Sequence, residues 1–177
     1  MLYSGTGDDG TTSAFGCDQR RISKSSELPE ALGALDELNA LLGVVKMKAV
    51  GESRIANALR EVQENLFIIQ AEVAGAGKRL AAGEAGRVGA LVNAIEAELP
   101  PVTGFAVAGG TELSAMLDLS RTVARRAERR VLAAEDAGVF VPTNEMKAYL
   151  NRLSSLLFAL ARLANHQAGV AEEHPRY

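Results

Sequence analysis

Apolar residues recur at helical spacing in five stretches of this chain, which are separated by segments rich in glycine and proline. Leucine, isoleucine and valine return every three or four residues, the period of one face of an α-helix. Thr111 is suited to an N-cap, and Gly138 and Pro142 end the helix that follows it. The predicted helices cover residues 28–49, 52–75, 84–99, 111–137 and 143–167.

These lengths predict an all-α fold: an up-and-down five-helix bundle of four long helices and a shorter one. Residues 1–27 show no helical period and form an irregular N-terminal segment. We assign this segment, the bundle at 28–168 and a C-terminal tail at 169–177 to a single domain. A chain of 177 residues, 47% of them hydrophobic, can bury one good core.

Charge and cysteine content narrow the classes of function. A formal net charge of −3 argues against general nucleic-acid binding, which needs a broad basic surface. The single cysteine, Cys17, leaves no internal disulfide and fits a reducing cytoplasm. No apolar run is long enough for a signal peptide or a membrane span. We therefore expect a cytoplasmic protein without nucleic-acid or membrane partners.

An arginine-rich stretch occupies the fourth predicted helix, RTVARRAERR from Arg121 to Arg130. Arg121, Arg125 and Glu128 fall within an arc of roughly 60° on the helix surface. Forked guanidinium groups suit the oxygens of a phosphate chain, and a glutamate one turn away can orient them. A solvated face laced with ion pairs explains the same pattern, so both interpretations stay open here.

The N-terminal segment is dense in glycine and hydroxyl side chains. Gly5 to Gly10 fits a dinucleotide-binding pattern by letter, but no strand precedes it, and Thr11 stands where a P-loop needs lysine. The remaining possibilities are a frayed terminus or an anion site built from backbone N–H groups and hydroxyls. In the second case Lys24 reaches a phosphate, and Asp8 and Asp9 hold a magnesium ion directly or through water.

Polar residues also occur where packing alone does not require them. Asp36 and Asn39 share a face of the first helix with two glycines, which indicates close approach of a neighbouring helix or a ligand. The apolar fifth helix carries four polar residues, which packing against Asp36 and Glu128, or a nucleotide, would satisfy. They are Asn151, Ser154, Ser155 and Arg162. A ferritin-like di-iron site is excluded, since neither histidine has glutamate three residues before it.

Six motifs in order resemble the trimeric ATP:cob(I)alamin adenosyltransferases, from Tyr3 to about His166. They are YSGTGDDGTTSAFG, RRISK, ALDELNALLG, GFAVAGGTELS, RTVARRAER and YLNRLSSLLFALARLANH. The resemblance implies that cob(I)alamin attacks C5′ of ATP, forming adenosylcobalamin and releasing triphosphate, with Mg²⁺ as cofactor. It also implies a homotrimer with active sites between subunits, a cob(II)alamin reductase before the reaction and an adenosylcobalamin-dependent enzyme after it.

The resemblance assigns site residues by position. One subunit would supply an ATP loop formed by Ser4, Gly5, Thr6, Gly7, Thr12, Ser13 and Lys24. The adjoining subunit would supply Arg125, Arg126, Glu128, Arg129 and Asn151. Arg121 would pair with Asp36 across subunits. Phe105, whose place in a connection first suggests a plug of the core, would take the space of the corrinoid's lower axial ligand.

This chain departs from the family pattern at three places. Ser4-Gly5 replaces a common Thr-basic pair, Ala108 replaces a frequent proline, and extra residues surround Cys17 and Asp18. The alternative is therefore a bundle that binds corrinoid or nucleotide as a carrier or sensor but has lost the chemistry.

Overall fold

The computed structural model describes residues 3–13 and 20–176, so Cys17 and Asp18 lie outside the described residues. It contains the predicted bundle: α1 (Glu27–Lys48), α2 (Ser53–Val73), α3 (Glu84–Glu96), α4 (Glu112–Asp136) and α5 (Asn144–Gln167). The all-α prediction is confirmed, and each helix lies within a residue or a few of its predicted limits. None of the described helices is both long and apolar enough to cross a membrane.

The helix ends follow from local chemistry. The Thr111 side chain accepts a hydrogen bond of 3.1 Å from the N–H of Ser114, as predicted for an N-cap. Thr143 does the same for Met146 at 3.2 Å at the start of α5. These two caps start the helices that carry most of the candidate site.

Helix α5 lies deepest in the bundle. It packs against α3 and α4, while α1 packs against α2 and α4. The apolar period of each helix points into one continuous core. Tyr149, Leu150 and Leu157 on α5 are among its fully buried large side chains. Helix α4 is therefore held between α1 and α5, with its arginine face free of the core.

The N-terminal segment contains a small β-ladder that the sequence did not predict. Strand β1 (Thr11–Ser13) pairs antiparallel with β2 (Arg21–Ser23), with Thr12 opposite Ile22. Ile22 packs against the core cluster. The glycine-rich segment is thus attached to the bundle through β2, which leads into α1.

Candidate functional site

Two tight turns, at residues 5–8 and 7–10, precede β1. The N–H of Asp8 donates to the carbonyl of Gly5 at 3.2 Å, and that of Gly10 to the carbonyl of Gly7 at 3.1 Å. Gly5 and Gly10 both have positive φ, which glycine adopts without steric cost. We call residues 4–13 with Lys24 the N-terminal loop. It contains all seven of the residues assigned to ATP from one subunit.

The Arg21 side chain donates hydrogen bonds to several residues of this loop. Its Nε donates to Thr11 Oγ1 at 2.6 Å, and its Nη2 donates to the carbonyls of Thr6 and Thr11 and to Asp9 Oδ1. Asp9 also accepts from the Thr11 hydroxyl at 2.7 Å and N–H at 2.9 Å. These Thr11 hydrogen bonds, followed by the Arg21 charge, hold the pKa of Asp9 below its ordinary value. Asp9 is therefore a structural anion of the loop.

Lys24 closes the loop from the other side. Its Nζ donates a 2.7 Å hydrogen bond to the carbonyl of Gly7. A Cβ at position 7 would lie 2.9 Å from this Nζ and 3.2 Å from the carbonyl of Thr11. Ser4 and Thr6 pair through their hydroxyls at 2.8 Å. The loop thus gathers one ammonium group, five hydroxyl side chains and several backbone N–H groups within a short segment.

Helix α4 presents the predicted arginine row, and its members differ in their partners. Arg126 pairs with Glu37 of α1 at 2.5 Å, and Arg130 lies 3.5 Å from Glu30. Arg125 is exposed, and no ion pair involves it among the described residues. The ion-pair interpretation is thus confirmed for Arg126 and Arg130, which pair with α1. Binding of a phosphate by Arg125 stays a prediction.

Arg121 already has a partner within its own chain. Its Nε donates to Asp118 Oδ1 at 3.0 Å, and its guanidinium carbon lies 6.0 Å from the centre of the Phe158 ring. Asp118 is buried, and only its i,i+3 spacing from Arg121 indicates this contact in the sequence. Asp36 is exposed on α1. A pairing of Arg121 with Asp36 of another copy stays a prediction.

A cavity of about 680 Å³ opens between the arginine face of α4 and residues 97–111, which join α3 to α4 and which we call the Phe105 connection. Arg121 and Arg125 line it from α4, and Ser154, Ser155 and Phe158 line it from α5. Phe105 borders it from the connection and is 78% exposed. The core-plug interpretation of Phe105 is therefore wrong, because this ring lies in an open cavity outside the core.

A second cavity of about 330 Å³ lies further along α4 and α5. Glu128 and Asn151, which the resemblance assigns to one site, line it together with Lys147. Arg125 and Glu128 are one turn apart on α4 and line one cavity each, and we call this surface the α4 ridge. Arg129 is exposed on the same helix.

The polar residues of α5 find partners other than those expected. The predicted packing against Asp36 and Glu128 is wrong for Arg162, which is buried, pairs with Glu172 and donates to the carbonyl of Pro100 at 2.7 Å. Ser154 donates to the carbonyl of Asn151 at 3.1 Å. Asn151 and Ser155 are exposed. Only these last two remain available at the surface.

The polar face of α1 has one end in contact with a neighbouring helix and one end that is open. Gln63 of α2 donates to the carbonyl of Asn39 at 3.0 Å and approaches Gly43, where an added Cβ would be 3.4 Å from its Nε2. Gly43 thus serves the approach of a neighbouring helix. An added Cβ at Gly33 would meet nothing within 4 Å, and Asp36 is exposed, so this end of the face is open.

Sequence reasoning missed the contacts that hold the Phe105 connection. Asn165 of α5 accepts from the N–H of Thr111 at 2.9 Å and donates to the carbonyl of Gly109 at 3.0 Å. At Gly110, with φ of +94°, a Cβ would lie 2.5 Å from Asn165 Oδ1. The Gly109-Gly110 pair was the available signal, because such a pair indicates an unusual backbone that some partner must hold.

The N-terminal loop and the α4 ridge remain separate within one chain. Across residues 3–13 and 20–176, no hydrogen bond or ion pair joins the two sets of candidate residues. In the same ranges no group of three or more His, Cys, Asp or Glu side chains is placed to hold a metal ion. The two sets of candidate residues thus share no polar contact within the described part of the chain.

Comparisons with known proteins agree on one family. Residues 2–164 match the family described as cobalamin adenosyltransferase. The corrinoid adenosyltransferase of Mycobacterium tuberculosis is 37% identical over 180 residues, which cover 96% of this chain and 91% of that protein. The corrinoid adenosyltransferase of Bacillus subtilis is 32% identical over 178 residues, covering 97% and 90%.

Solved structures share the fold over their whole length. A variant PduO-type ATP:corrinoid adenosyltransferase from Lactobacillus reuteri, complexed with cobalamin and ATP, superposes with a TM-score of 0.89 at 26% identity. The superposition covers 99% of this chain and 97% of that one. A second variant, complexed with ATP, gives the same TM-score of 0.89. With residues 2–164 matched to the family and the fold shared throughout, this chain belongs to the cobalamin adenosyltransferases.

Proposed function

We propose that this protein transfers the 5′-deoxyadenosyl group of ATP to the cobalt of cob(I)alamin. The observation that carries the proposal is the ridge of Arg125 and Glu128 beside a 680 Å³ cavity bordered by an exposed Phe105, in a member of this family. A cavity lined by apolar and cationic groups suits a corrinoid next to a polyphosphate.

The reaction needs alignment and charge stabilisation more than a protein nucleophile. The electron pair of Co(I) forms the bond to C5′, and the C5′–O bond breaks with its electron pair leaving on triphosphate. Negative charge therefore grows on the leaving group, where prepositioned guanidinium, ammonium and backbone N–H groups lower the barrier. Because the cobalt supplies the nucleophile, no Ser–His or Cys–His pair is required. The protein's part is to hold the two substrates in line.

The N-terminal loop is proposed to bind the phosphate chain. Lys24 now donates to the carbonyl of Gly7, and a phosphate oxygen within the loop would be a stronger, charged acceptor for the same ammonium group. The hydroxyls of Ser4 and Thr6, which now pair with each other, would turn toward the ligand. Backbone N–H groups at Gly5 and Gly7, and the Thr12 and Ser13 hydroxyls, complete this half-site.

The α4 ridge is proposed to bind the same phosphate chain from a second copy of the protein. Arg125 would contact the phosphates, with Glu128 one turn away to orient neighbouring guanidinium groups. Arg126, Arg129 and Asn151 would extend the half-site toward the smaller cavity. What supports a two-chain site is the separation of the ridge from the N-terminal loop in the described part of one chain.

A homotrimer is the assembly that we propose for such a site. In a closed ring, the loop of each copy meets the ridge of the next, so no half-site is left without a partner. Asp36, exposed beside Gly33 on α1, would then approach Arg121 of the adjoining copy and share it with Asp118. This sharing would fix Arg121 at the wall of the larger cavity.

Magnesium is proposed to arrive with ATP. Asp9 accepts hydrogen bonds from Thr11 and Arg21, which suits it to contact an ion through water and not as a direct ligand. Asp8 is the neighbouring carboxylate. These residues fit an ion held mainly by phosphate oxygens and water, as is usual for Mg²⁺ at nucleotides. When bound, the ion would neutralise charge on the phosphates.

The chemistry also indicates the partners. Cobalt in the +1 state requires an electron supplied to cob(II)alamin, so a reductase for cob(II)alamin should act before this protein. An adenosylcobalamin-dependent enzyme should take the product. A cytoplasmic location is proposed because the chain has a single cysteine, as is common in reducing compartments.

An anaerobic assay tests the proposal. Purified protein is mixed with chemically reduced cob(I)alamin, ATP and Mg²⁺, and adenosylcobalamin and triphosphate are both quantified. We expect the two products in equal amounts. Binding of corrinoid and ATP without triphosphate would contradict the proposal and support a carrier or sensor instead.

A further inference from the structure

The C-terminal tail, residues 169–176, folds back onto the connection that carries Phe105. The N–H of Val107 donates a 2.8 Å hydrogen bond to the carbonyl of Glu173. The His174 ring nitrogen Nδ1 lies 2.9 Å from the carbonyl oxygen of Phe105. A ring nitrogen can only donate to a carbonyl, so Nδ1 carries the proton in this contact. The tail thus holds the backbone at Phe105 and at Val107.

One buried guanidinium anchors the tail to the bundle. The Arg162 side chain is 7% exposed; it pairs with Glu172 of the tail and donates to the carbonyl of Pro100 at 2.7 Å. A buried charge needs such partners, and removing one of them is costly because the other charge remains without water. Arg162 therefore joins three elements, namely α5, the tail and the start of the Phe105 connection.

The far end of the connection is fixed independently of the tail. Asn165 holds Gly109 and Thr111 through both atoms of its amide. Between Pro100 and Gly109, the backbone hydrogen bonds to the tail at Phe105 and Val107 are the described polar contacts of the connection. Losing the tail would thus release the middle of the connection but leave its ends in place.

Phe105 depends on this backbone support because its ring is not packed. At 78% exposure the ring gains little from burial, so its direction follows the backbone that carries it. We propose that the C-terminal tail is the positioning element for Phe105, acting through the Glu172–Arg162 pair and the His174 contact. The proposal rests on the proposed function, in which Phe105 takes the place of the lower axial ligand and so eases reduction of bound cob(II)alamin.

A tail that positions Phe105 affects one starting state of the corrinoid, and this distinguishes it from a tail that only stabilises the fold. Displacing the lower ligand matters for reducing cob(II)alamin, whereas cob(I)alamin prepared beforehand has already been reduced. Loss of the tail contacts should therefore slow the reaction that starts from cob(II)alamin with a reductant supplied in the assay. It should leave the reaction from prereduced cob(I)alamin and the KM for ATP close to those of the unmodified protein.

The test compares Glu172→Gln and His174→Ala with Glu173→Gln, a matched control in which the side chain changes but the backbone carbonyl stays. From cob(II)alamin we expect about a tenfold lower rate for the first two variants, because misplacing one positioning group has effects of that order. The absorbance spectrum of bound cob(II)alamin should show a smaller four-coordinate fraction. Thermal unfolding shows whether each variant keeps its fold.

Two results would overturn the inference. One is that both variants match Glu173→Gln in rate and in four-coordinate fraction. The other is an equal loss from cob(II)alamin and from cob(I)alamin, which would indicate a general structural role. Failure of the proposed function is a separate outcome, since the unmodified protein would then give no adenosylcobalamin even from cob(I)alamin.

Discussion

The ammonium nitrogen of Lys24 lies 2.7 Å from the carbonyl oxygen of Gly7, so the N-terminal loop is closed by a group that can exchange this carbonyl for a phosphate. A Cβ at position 7 would lie 2.9 Å from the same nitrogen, so the Lys24 side chain would have to move to admit it. If the N-terminal loop binds ATP as proposed, this relationship makes Gly7 a sensitive position.

Gly7→Ala should displace Lys24 and raise the KM for ATP about tenfold, the effect of weakening one charge-assisted hydrogen bond. Folding should be little affected, because Lys24 is flexible and position 7 does not have positive φ. Steady-state kinetics with varied ATP measures the change. Gly86→Ala, on an exposed face of α3 where a Cβ meets nothing within 4 Å, is the control. Equal KM values for the two variants would show that the Gly7–Lys24 contact does not shape the ATP site.

Arg125→Ala should lower kcat/KM by about one to two decades, or roughly 1.5–3 kcal/mol of transition-state stabilisation. Arg125→Lys should recover part of the loss, since charge is kept but the fork is not. Arg130 lies on the same helix as Arg125 and forms a surface pair with Glu30 of α1. Arg130→Ala removes this pair and should have little effect on the rate. Unchanged turnover in Arg125→Ala would remove this residue from the site.

Asp36→Arg should weaken assembly. An arginine at this exposed position would face Arg121 of the neighbouring copy, and like charges in contact repel. Light scattering coupled to size-exclusion chromatography gives the mass. Glu64→Arg, a charge reversal of the same size on the exposed face of α2, is the control. If Asp36→Arg leaves the mass unchanged, the pairing with Arg121 across copies is wrong.

The free energy of unfolding should depend on pH because the Tyr149 side chain is buried. Burial raises its pKa to about 12, from the ordinary tyrosine value of 10.0. A raised folded pKa means that the stabilising contribution is complete below pH 10.0 and is lost as pH rises toward 12. Two pKa units correspond to about 2.7 kcal/mol, as an order of magnitude.

Denaturant unfolding at several pH values measures this contribution, with tyrosinate absorbance as a second observable. Tyr149→Phe should remove the part of the decline that falls between pH 10.0 and 12, although it also removes the hydrogen bond from Asn65. An identical decline in both proteins would assign it to other groups.

The helices were predictable from sequence because leucine and valine spacing records the face that each helix buries. Residues such as Leu35, Leu66 and Leu153 are both periodic in sequence and fully buried. The composition of the N-terminal loop was equally visible. Its closure was not, because it depends on Arg21 contacting Thr6 and Asp9, 15 and 12 residues away, and no local pattern encodes such contacts.

The site was harder to predict than the fold for a related reason. Arg162 stood out as a charge in an apolar helix, but its partner Glu172 lies in a tail with no periodic pattern. Phe105 was first interpreted as core because aromatic residues are usually buried. The resemblance then implied a place beside the corrinoid, and the structure shows the ring exposed at a cavity. A contact between two copies of the chain is even harder to predict from one sequence.

The central claim is that each ATP site joins the N-terminal loop of one copy to the α4 ridge of the next, and subunit mixing tests it most directly. Lys24→Glu and Arg125→Glu are prepared separately, each with a low residual rate, then unfolded together and refolded as mixed oligomers. In a closed ring of randomly mixed copies, about one site in four combines an intact loop with an intact ridge. The account therefore predicts recovery of about a quarter of the activity of unmodified protein treated in the same way, whereas activity no higher than that of the two variants refolded separately would contradict it.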